Sequence, residues 1–340
     1  MTNHIVVLGA GYAGLGAAKR AARRLGGGRA GDVRVTLVNA ADRFVERVRL
    51  HQLAAGRRLP DLPLAGLLEG TGIELVVARA VGIDAEARTV RLDAAPYELG
   101  YDVLVYALGS GSDPDAVPGV RAHAYPAGLV GAGLSGGARR HLRRTFARMG
   151  VVVREHAPVR EVGPGGVLLA DGDELPAETV VWAAGFRVPG LAAAAGLATD
   201  EHGRMLVDRS LRSLSHPEVF GVGDAAATDR EGRVTRMACQ TSLPMGMYAG
   251  EAVADLLTGR EPRRARFRYV WQNVSLGPRD GVTQFTRADD SPLDAIMTGR
   301  ASAAFKEAIM RGTVWAMRHP GPYRPVAVRA PGRPAGATAG

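Results

Sequence analysis

Cysteine is almost absent from this chain. Cys239 is the single one in 340 residues, which rules out a disulfide framework, a CxxC redox pair and a cysteine-based metal site. Any redox chemistry must therefore be carried by a bound cofactor. Lysine is scarce too: Lys19 and Lys306 are the only two, so the net charge of +9 comes almost wholly from arginine. Those arginines are spread along the chain without the aromatic interleaving of a nucleic-acid surface. The expectation is a solvated basic surface with some attraction for anionic cofactors or lipid, and no nucleic-acid partner. No run of about 18 apolar residues occurs, so no segment is expected to span a membrane. The N-terminus enters a core strand almost at once, which leaves no room for a signal peptide; the expected location is cytoplasmic.

What is present is apolar. A hydrophobic content of 46 % over 340 residues suits a large core and two domains. The chain is organised around His4-Ile-Val-Val-Leu-Gly9-Ala-Gly11-Tyr-Ala-Gly14, a buried strand running into a glycine-rich turn that opens a helix. In a dinucleotide-binding turn the first glycine allows a sharp bend, the second lets the backbone approach a pyrophosphate, and the third lets helix and strand pack closely. Ala17, Ala18, Ala21 and Ala22 give the following helix a small apolar face, and its N-terminus offers free N–H groups to a phosphate. A second apolar strand, Asp32 to Val38, follows. An acidic residue that holds ribose hydroxyls normally stands near its end; here the residue is Asn39, whose amide can also bond to a ribose.

A polar and basic stretch comes next, Arg43-Phe-Val-Glu-Arg-Val-Arg-Leu-His51-Gln, then a helical stretch around Leu59 to Gly70. Short strands are read at Ile73 to Val77, Thr89 to Leu92 and Asp102 to Gly109. The same pattern then recurs: a helix at Ala138 to Met149, then Val151 to Arg154, Gly166-Val-Leu-Leu, Glu174-Leu, and Thr179-Val-Val-Trp-Ala-Ala-Gly185. Gly72 to Gly109 spans 37 positions and Gly150 to Gly185 spans 35, so the chain contains an internal repeat of a helix, a β-meander and a strand ending in Ala-x-Gly.

The repeats differ at their front ends. Gly9 stands 100 positions before Gly109, whereas Gly131-Ala-Gly133-Leu-Ser-Gly136 stands only 54 before Gly185. About half a module is missing from the second copy. The segment preceding Gly131 holds Pro126 and Gly128, which suit a loop better than a central strand. The helix after it carries Arg139, Arg140, Arg143, Arg144 and Arg148 around a narrow apolar stripe, as a surface helix does. Two readings of Gly131 to Gly136 stand: a loop that matches the glycine pattern by chance, and a working second dinucleotide site. Beyond it, Val219-Phe-Gly-Val-Gly223-Asp224 is a short apolar strand ending in Gly-Asp; that aspartate suits sugar hydroxyls or backbone N–H groups, or a helix N-cap. A helix then opens at Gln240-Thr-Ser-Leu-Pro-Met-Gly246.

On Gly9-x-Gly11-x-x-Gly14, Tyr106-Ala-Leu-Gly109, Trp182-Ala-Ala-Gly185 and Val222-Gly223-Asp224, the chain resembles FAD-dependent pyridine-nucleotide oxidoreductases with two dinucleotide-binding domains. It is most similar to their type II NADH dehydrogenase-like branch, with a truncated NAD(P)H-binding domain. The resemblance covers nearly the whole chain. It implies an α/β fold: a Rossmann-like FAD-binding domain with a β-meander (1–115 and 200–265), a shortened second dinucleotide-binding-like domain (116–199) and a C-terminal α/β segment (266–318). A Pro-, Gly- and Arg-rich tail (319–340) is expected to be disordered.

The resemblance also implies FAD along the first domain, with Gly9, Gly11, Ala13 and Gly14 at the pyrophosphate and Asn39 at the adenosine ribose. Val81 would lie near adenine, Ala107 and Gly109 behind the cofactor, Gly223 and Asp224 at the ribityl chain, and Arg49, Gln240 and Thr241 around the isoalloxazine. In such enzymes NAD(P)H docks in the inserted domain and a quinone or other acceptor takes the electrons. The missing half-module puts the NAD(P)H step in question and would leave room at the flavin for another substrate.

Three functions follow. The first is an FAD enzyme oxidising a small organic, aromatic or quinone-like substrate. The others are an NAD(P)H:quinone-type dehydrogenase with a compressed nicotinamide site, and a flavin-binding protein without turnover. His51 is a candidate proton donor or a histidine satisfied by local packing; Glu46, Arg47, Arg49 and Gln240 are further candidates for the flavin environment. No catalytic base is assigned. A helix around Ala303 to Met317, carrying Phe305, Ile309, Trp315 and Met317, suits a core contact, a homodimer contact or a membrane surface.

Overall fold

The computed structural model describes residues 2–26, 33–54, 56–112, 131, 133–181, 186–230, 233–266 and 268–319. The chain divides into two compact units. The first comprises residues 1–110, 188–266 and 316–340, and the second comprises residues 111–187 and 267–315.

The first unit opens with β1 (Asn3–Leu8), α1 (Tyr12–Arg24) and β2 (Val33–Asn39). Two short helices follow, α2 (Leu50–Ala54) and α3 (Leu64–Leu68), then β3 (Glu74–Val77). A meander of β4 (Ala80–Asp84), β5 (Thr89–Leu92) and β6 (Glu98–Gly100) leads to β7 (Val103–Tyr106).

The second unit contains β8 (Gly111–Ser112), α4 (Gly136–Arg148), the meander β9 (Val159–Gly163), β10 (Gly166–Leu169) and β11 (Glu174–Pro176), and β12 (Phe186–Arg187). The chain then returns to the first unit through α5 (Leu191–Ala194), β13 (Met205–Val207), β14 (Val219–Gly221), β15 (Ala226–Arg230), β16 (Arg233–Val234) and α6 (Cys239–Leu257). An antiparallel sheet of β17 (Trp271–Ser275), β18 (Gly281–Thr286) and β19 (Pro292–Thr298) belongs to the second unit, and α7 (Gly299–Arg318) follows it.

The core of the first unit is a five-stranded parallel sheet in the order β14-β7-β1-β2-β3. Parallel strands are covered on both faces and so read as continuous apolar runs. Ile5 to Leu8 and Val103 to Tyr106 are accordingly buried throughout. Helix α1 covers one face through its small apolar side, with Ala17 and Ala18 fully buried.

The two copies of the internal repeat behave differently. In the first, β3 pairs with β2 and β7 pairs with β1, both parallel. In the second, the meander β9-β10-β11 forms, but residues 151–154 and 179–181 adopt no strand. Among the described residues no strand pairs with either segment. Among their side chains Val152 is 85 % and Val181 75 % exposed while Val153 and Val180 are half-buried; Val105, the counterpart of Val181 in the first copy, is 1 % exposed. The core of the second unit lies elsewhere, where Leu134, Ala138 and Leu142 of α4 and its lead-in pack on Val282 with Val274 and Ile296 of the C-terminal sheet.

Further expectations change in extent. The helix read at Leu59 to Gly70 is confined to α3. The C-terminal helix is longer than expected and presents less apolar surface: Met310 and Met317 are buried, and Phe305 stacks edge-on against Trp271 with ring centroids 5.3 Å apart, while Trp315 remains exposed. The strand end Trp182 to Gly185 and the tail from residue 320 lie outside the described residues. None of the helices among the described residues is long and apolar enough to cross a membrane.

Candidate functional site

The site begins at the turn between β1 and α1. Gly9 has φ +97°, a conformation that side chains other than hydrogen rarely adopt, and a Cβ there would stand 2.5 Å from the Ala107 carbonyl oxygen. At Gly14 a Cβ would overlap the carbonyl oxygen of Gly9. Both glycines are thus required by the protein's own backbone. Gly11 is different. Its φ is −74°, open to any residue, and no heavy atom lies within 4 Å of where its Cβ would be. Nothing in the chain itself asks for glycine there. A bound group that comes as close to the backbone as a pyrophosphate does is the physical reason that remains, so the residues present fit a dinucleotide.

Helix α6 extends the same site. It runs alongside α1 in the same direction: a Cβ on Gly246 would overlap the Ala13 carbonyl oxygen, and one on Gly250 would stand 2.6 Å from that of Ala17. Arg20 and Arg24 of α1 pair with Glu251 and Asp255 of α6 and close the far end of this contact. In this register α6 begins six residues before the level of Tyr12, so its N-terminus lies about 9 Å beyond that of α1. Two positive helix ends therefore face one side of the sheet in a staggered pair. Gln240 and Thr241 form the first turn of α6, with Thr241 buried.

Asp224 stands in the short turn Gly223–Ala225 after β14. Ser110 donates its hydroxyl to Oδ2 at 2.7 Å, and Ser242 donates to Oδ1 at 3.3 Å. The carboxylate is thereby oriented by the residue after Gly109 and by the first turn of α6. Arg47 donates from Nη1 to the Ser110 carbonyl, and the same nitrogen lies 3.8 Å from where a Cβ on Gly109 would be. Among the described residues no carboxylate pairs with Arg47. Glu46 and Arg49 form a buried ion pair at 3.1 Å. Beside them Tyr12 packs edge-on against Phe44, ring centroids 5.0 Å apart. Burial, with added contributions from Cys239 and Glu46, pushes the Tyr12 phenol well above its ordinary range. At neutral pH it is a neutral hydroxyl.

The structure brings most of the expected residues together in the first unit: Gly9, Gly11, Ala13 and Gly14 at the turn, Ala107 and Gly109 behind it, and Gly223, Asp224, Gln240 and Thr241 along it. Arg49 and Asn39 flank the turn. Val81 lies on β4 and is half exposed. His51 belongs to α2, and its side chain lies outside the described residues. Sequence reasoning missed Ser110, Ser242 and Gly246. Ser110 directly follows the strand-end glycine and was within reach of the motif; the other two depend on how α6 meets α1.

The described residues of the glycine loop in the second unit differ from those of the first in two respects. Helix α4 starts at Gly136 with Ser135 as its N-cap, whereas α1 starts directly after its second glycine. The Ser135 N–H, which a phosphate would need, donates instead to Gln284 Oε1 at 3.0 Å. Among the described residues no group of three or more His, Cys, Asp or Glu could hold a metal.

A parallel sheet with a glycine turn at its centre and a held aspartate after its edge strand β14 defines a dinucleotide-binding α/β protein. The family model described as pyridine nucleotide-disulphide oxidoreductase matches residues 3–130 and 129–246, and the chain belongs to that family. It is accordingly a flavin-dependent oxidoreductase of the NADH dehydrogenase and quinone oxidoreductase type, in a family that uses FAD and NAD(P)H. An NADH dehydrogenase-like protein of Mycobacterium tuberculosis is 32 % identical over 317 aligned positions, covering 72 % of this chain and 78 % of the relative. A type II NADH:quinone oxidoreductase of Staphylococcus saprophyticus is 24 % identical, covering 82 % and 88 %. Among solved structures, the sulfide:quinone oxidoreductase of Aquifex aeolicus superposes with a TM-score of 0.76 at 19 % identity, over 93 % of this chain and 92 % of that one. NDH2 of Plasmodium falciparum gives 0.75 at 12 % identity, over 94 % and 96 %. These two share the fold. With Cys239 as its one cysteine, the chain cannot form an internal redox disulfide.

Proposed function

We propose that the first unit holds FAD and that the enzyme oxidises a small organic, aromatic or quinone-like substrate without the family's usual NAD(P)H site. FAD supplies a two-electron carrier. On this reading Gly9, Gly11 and Gly14 admit its pyrophosphate to the N-terminus of α1, and Asp224, aligned by Ser110 and Ser242, accepts hydrogen bonds from its sugar-alcohol chain. The N-terminus of α6, with Gln240 and Thr241, faces the ring. The substrate loses two electrons and two protons, and dioxygen or a quinone gains them. Arg47, which no carboxylate offsets among the described residues, supplies positive charge beside that site.

The observation that carries the nicotinamide part of the proposal is the exposure of Val152 and Val181. These residues stand where the repeat would place the strands of a nucleotide-binding sheet, and among the described residues no strand pairs with them. The comparisons support it. Since 72 % of 340 residues is about 245, the 317 positions aligned with the mycobacterial relative leave about 70 without a residue of this chain. The two stretches matched by the family model meet at residues 129–130, directly before Gly131. The second reading, an NAD(P)H:quinone dehydrogenase with a compressed site, is favoured by the names of the relatives.

Anaerobic stopped-flow absorbance decides between them. The purified yellow protein is mixed with NADH, then with NADPH, while the oxidised-flavin band is followed. The proposal expects the band to persist under both and to bleach with a suitable organic reductant. Bleaching by either nucleotide at enzyme-like rates would sink it.

A further inference from the structure

The geometry assigns Asn39 a task other than ribose recognition: we infer that it is a positioning residue that shapes the glycine turn before a cofactor arrives. The inference rests on the FAD reading for its consequence, though not for its structural content. Gly9 and Ala10 leave the strand ladder after Leu8. The Gly9 N–H still donates to the Val38 carbonyl at 2.7 Å. Ala10 is buried, and its N–H finds its acceptor in the side chain of Asn39, Oδ1, at 2.9 Å. Without that acceptor a buried backbone donor would stand unpaired, the costly case for a hydrogen bond.

The other end of the same amide is also engaged. Asn39 Nδ2 donates to the Ala41 carbonyl at 2.7 Å, which fixes the side chain from the opposite side. The residue therefore ties the end of β2 to the bend between Gly9 and Gly11, across 29 positions of sequence. A carboxylate could accept from Ala10 but could not donate to Ala41. The amide makes both bonds at once, which is a physical reason for asparagine where a ribose-binding acid is the usual residue. It follows that turn geometry depends on Asn39 in the flavin-free protein, and that FAD affinity depends on it only through the turn.

The test uses the full chain with flavin removed, as wild type, Asn39→Ala and Asn39→Asp. Hydrogen exchange is read on the peptide spanning residues 8–15, and FAD affinity by titration. Asn39→Ala is expected to speed exchange of the Ala10 amide at least about tenfold in the flavin-free protein and to weaken FAD binding by a similar factor. Asn39→Asp keeps the acceptor for Ala10 and loses only the exposed bond to Ala41, so exchange of the Ala10 amide should stay within about threefold of wild type. Weakened FAD binding with unchanged exchange in Asn39→Ala would make Asn39 a cofactor ligand and overturn the inference. So would no effect on either, or fast exchange in Asn39→Asp, the arm that decides if Asn39→Ala does not fold. A wild-type chain that binds no FAD would sink the cofactor reading alone, leaving exchange to decide the role of Asn39.

Discussion

Placing a methyl group at Gly11 separates a glycine kept for a ligand from one kept for the fold. Gly11 has φ −74° and no heavy atom within 4 Å of its Cβ position. Gly11→Ala should therefore fold, losing at most about 1 kcal/mol, the range of an N-cap change. If a pyrophosphate lies against that backbone, the methyl occupies space the phosphate needs. A hundredfold loss of FAD affinity, equivalent to about 2.7 kcal/mol, is expected. Gly14→Ala is the counterpart. Its Cβ would overlap the Gly9 carbonyl oxygen, and backbone cannot swing aside as a side chain can. That variant should lose on the order of 3 kcal/mol or fail to fold. The assay pairs thermal melting of the flavin-free proteins with the flavin-to-protein absorbance ratio on titration with FAD. Wild-type FAD affinity in Gly11→Ala would refute the argument, because the one glycine of the turn without an internal explanation would then have no external one. An unfolded Gly11→Ala would refute it differently, by showing a structural demand that the geometry does not reveal.

Other consequences are as direct. Gly246→Ala should push α6 away from α1, since its Cβ would overlap the Ala13 carbonyl oxygen; a loss on the order of 3 kcal/mol in denaturant unfolding is expected, and a small change would show that the helix pair can relax. Arg49→Met leaves the Glu46 carboxylate buried without its ion-pair partner, and about 3–5 kcal/mol should be lost; an unchanged denaturation midpoint would place the carboxylate in contact with water. In the second unit, burial pulls the Asp280 carboxyl upward, but hydrogen bonds from His141, Thr145 and the Gly281 N–H outweigh it and hold the group below the usual carboxylate range. A carboxyl with a depressed folded-state value stabilises the fold above its unfolded value and loses that contribution as pH falls through the folded one. Asp280→Asn should thus be less stable than wild type at neutral pH, with the two melting curves converging in acid; a gap that stays constant with pH would count against the assignment.

Much of the first unit was legible because its signals are local. The run Ile5 to Leu8 and the alanine face of α1 declare a buried strand and a close-packed helix within a single stretch of chain. The repeat was legible from spacing, and the meander of its second copy forms as β9-β10-β11. Two features were not. The strands expected at Val151 to Arg154 and Thr179 to Gly185 had the right apolar residues, but a strand exists only with a partner, and among the described residues none pairs with 151–154 or 179–181. The close contact between α1 and α6 rests on Gly246 and Gly250, which read as ordinary helix residues until Ala13 and Ala17 are placed against them. Ser110 and Asp224 meet across 114 positions, a pairing that no local pattern encodes.

The residues proposed to line the cofactor belong to the first unit, and several are held by partners in the same unit: Asp224 by Ser110 and Ser242, the glycine turn by Asn39, and α6 by α1. The parallel sheet beneath them is complete without any strand of the second unit. On the proposed reading, a shortened nucleotide-binding module would remove a route by which electrons reach the cofactor while leaving the cofactor's own contacts whole. Cofactor binding and nicotinamide specificity are then separable in this chain. Flavin retention should follow Gly11, Asn39 and Asp224, whereas the choice of reductant should be indifferent to substitution in the Gly131 to Gly136 loop, whose Ser135 N–H is already spent on Gln284.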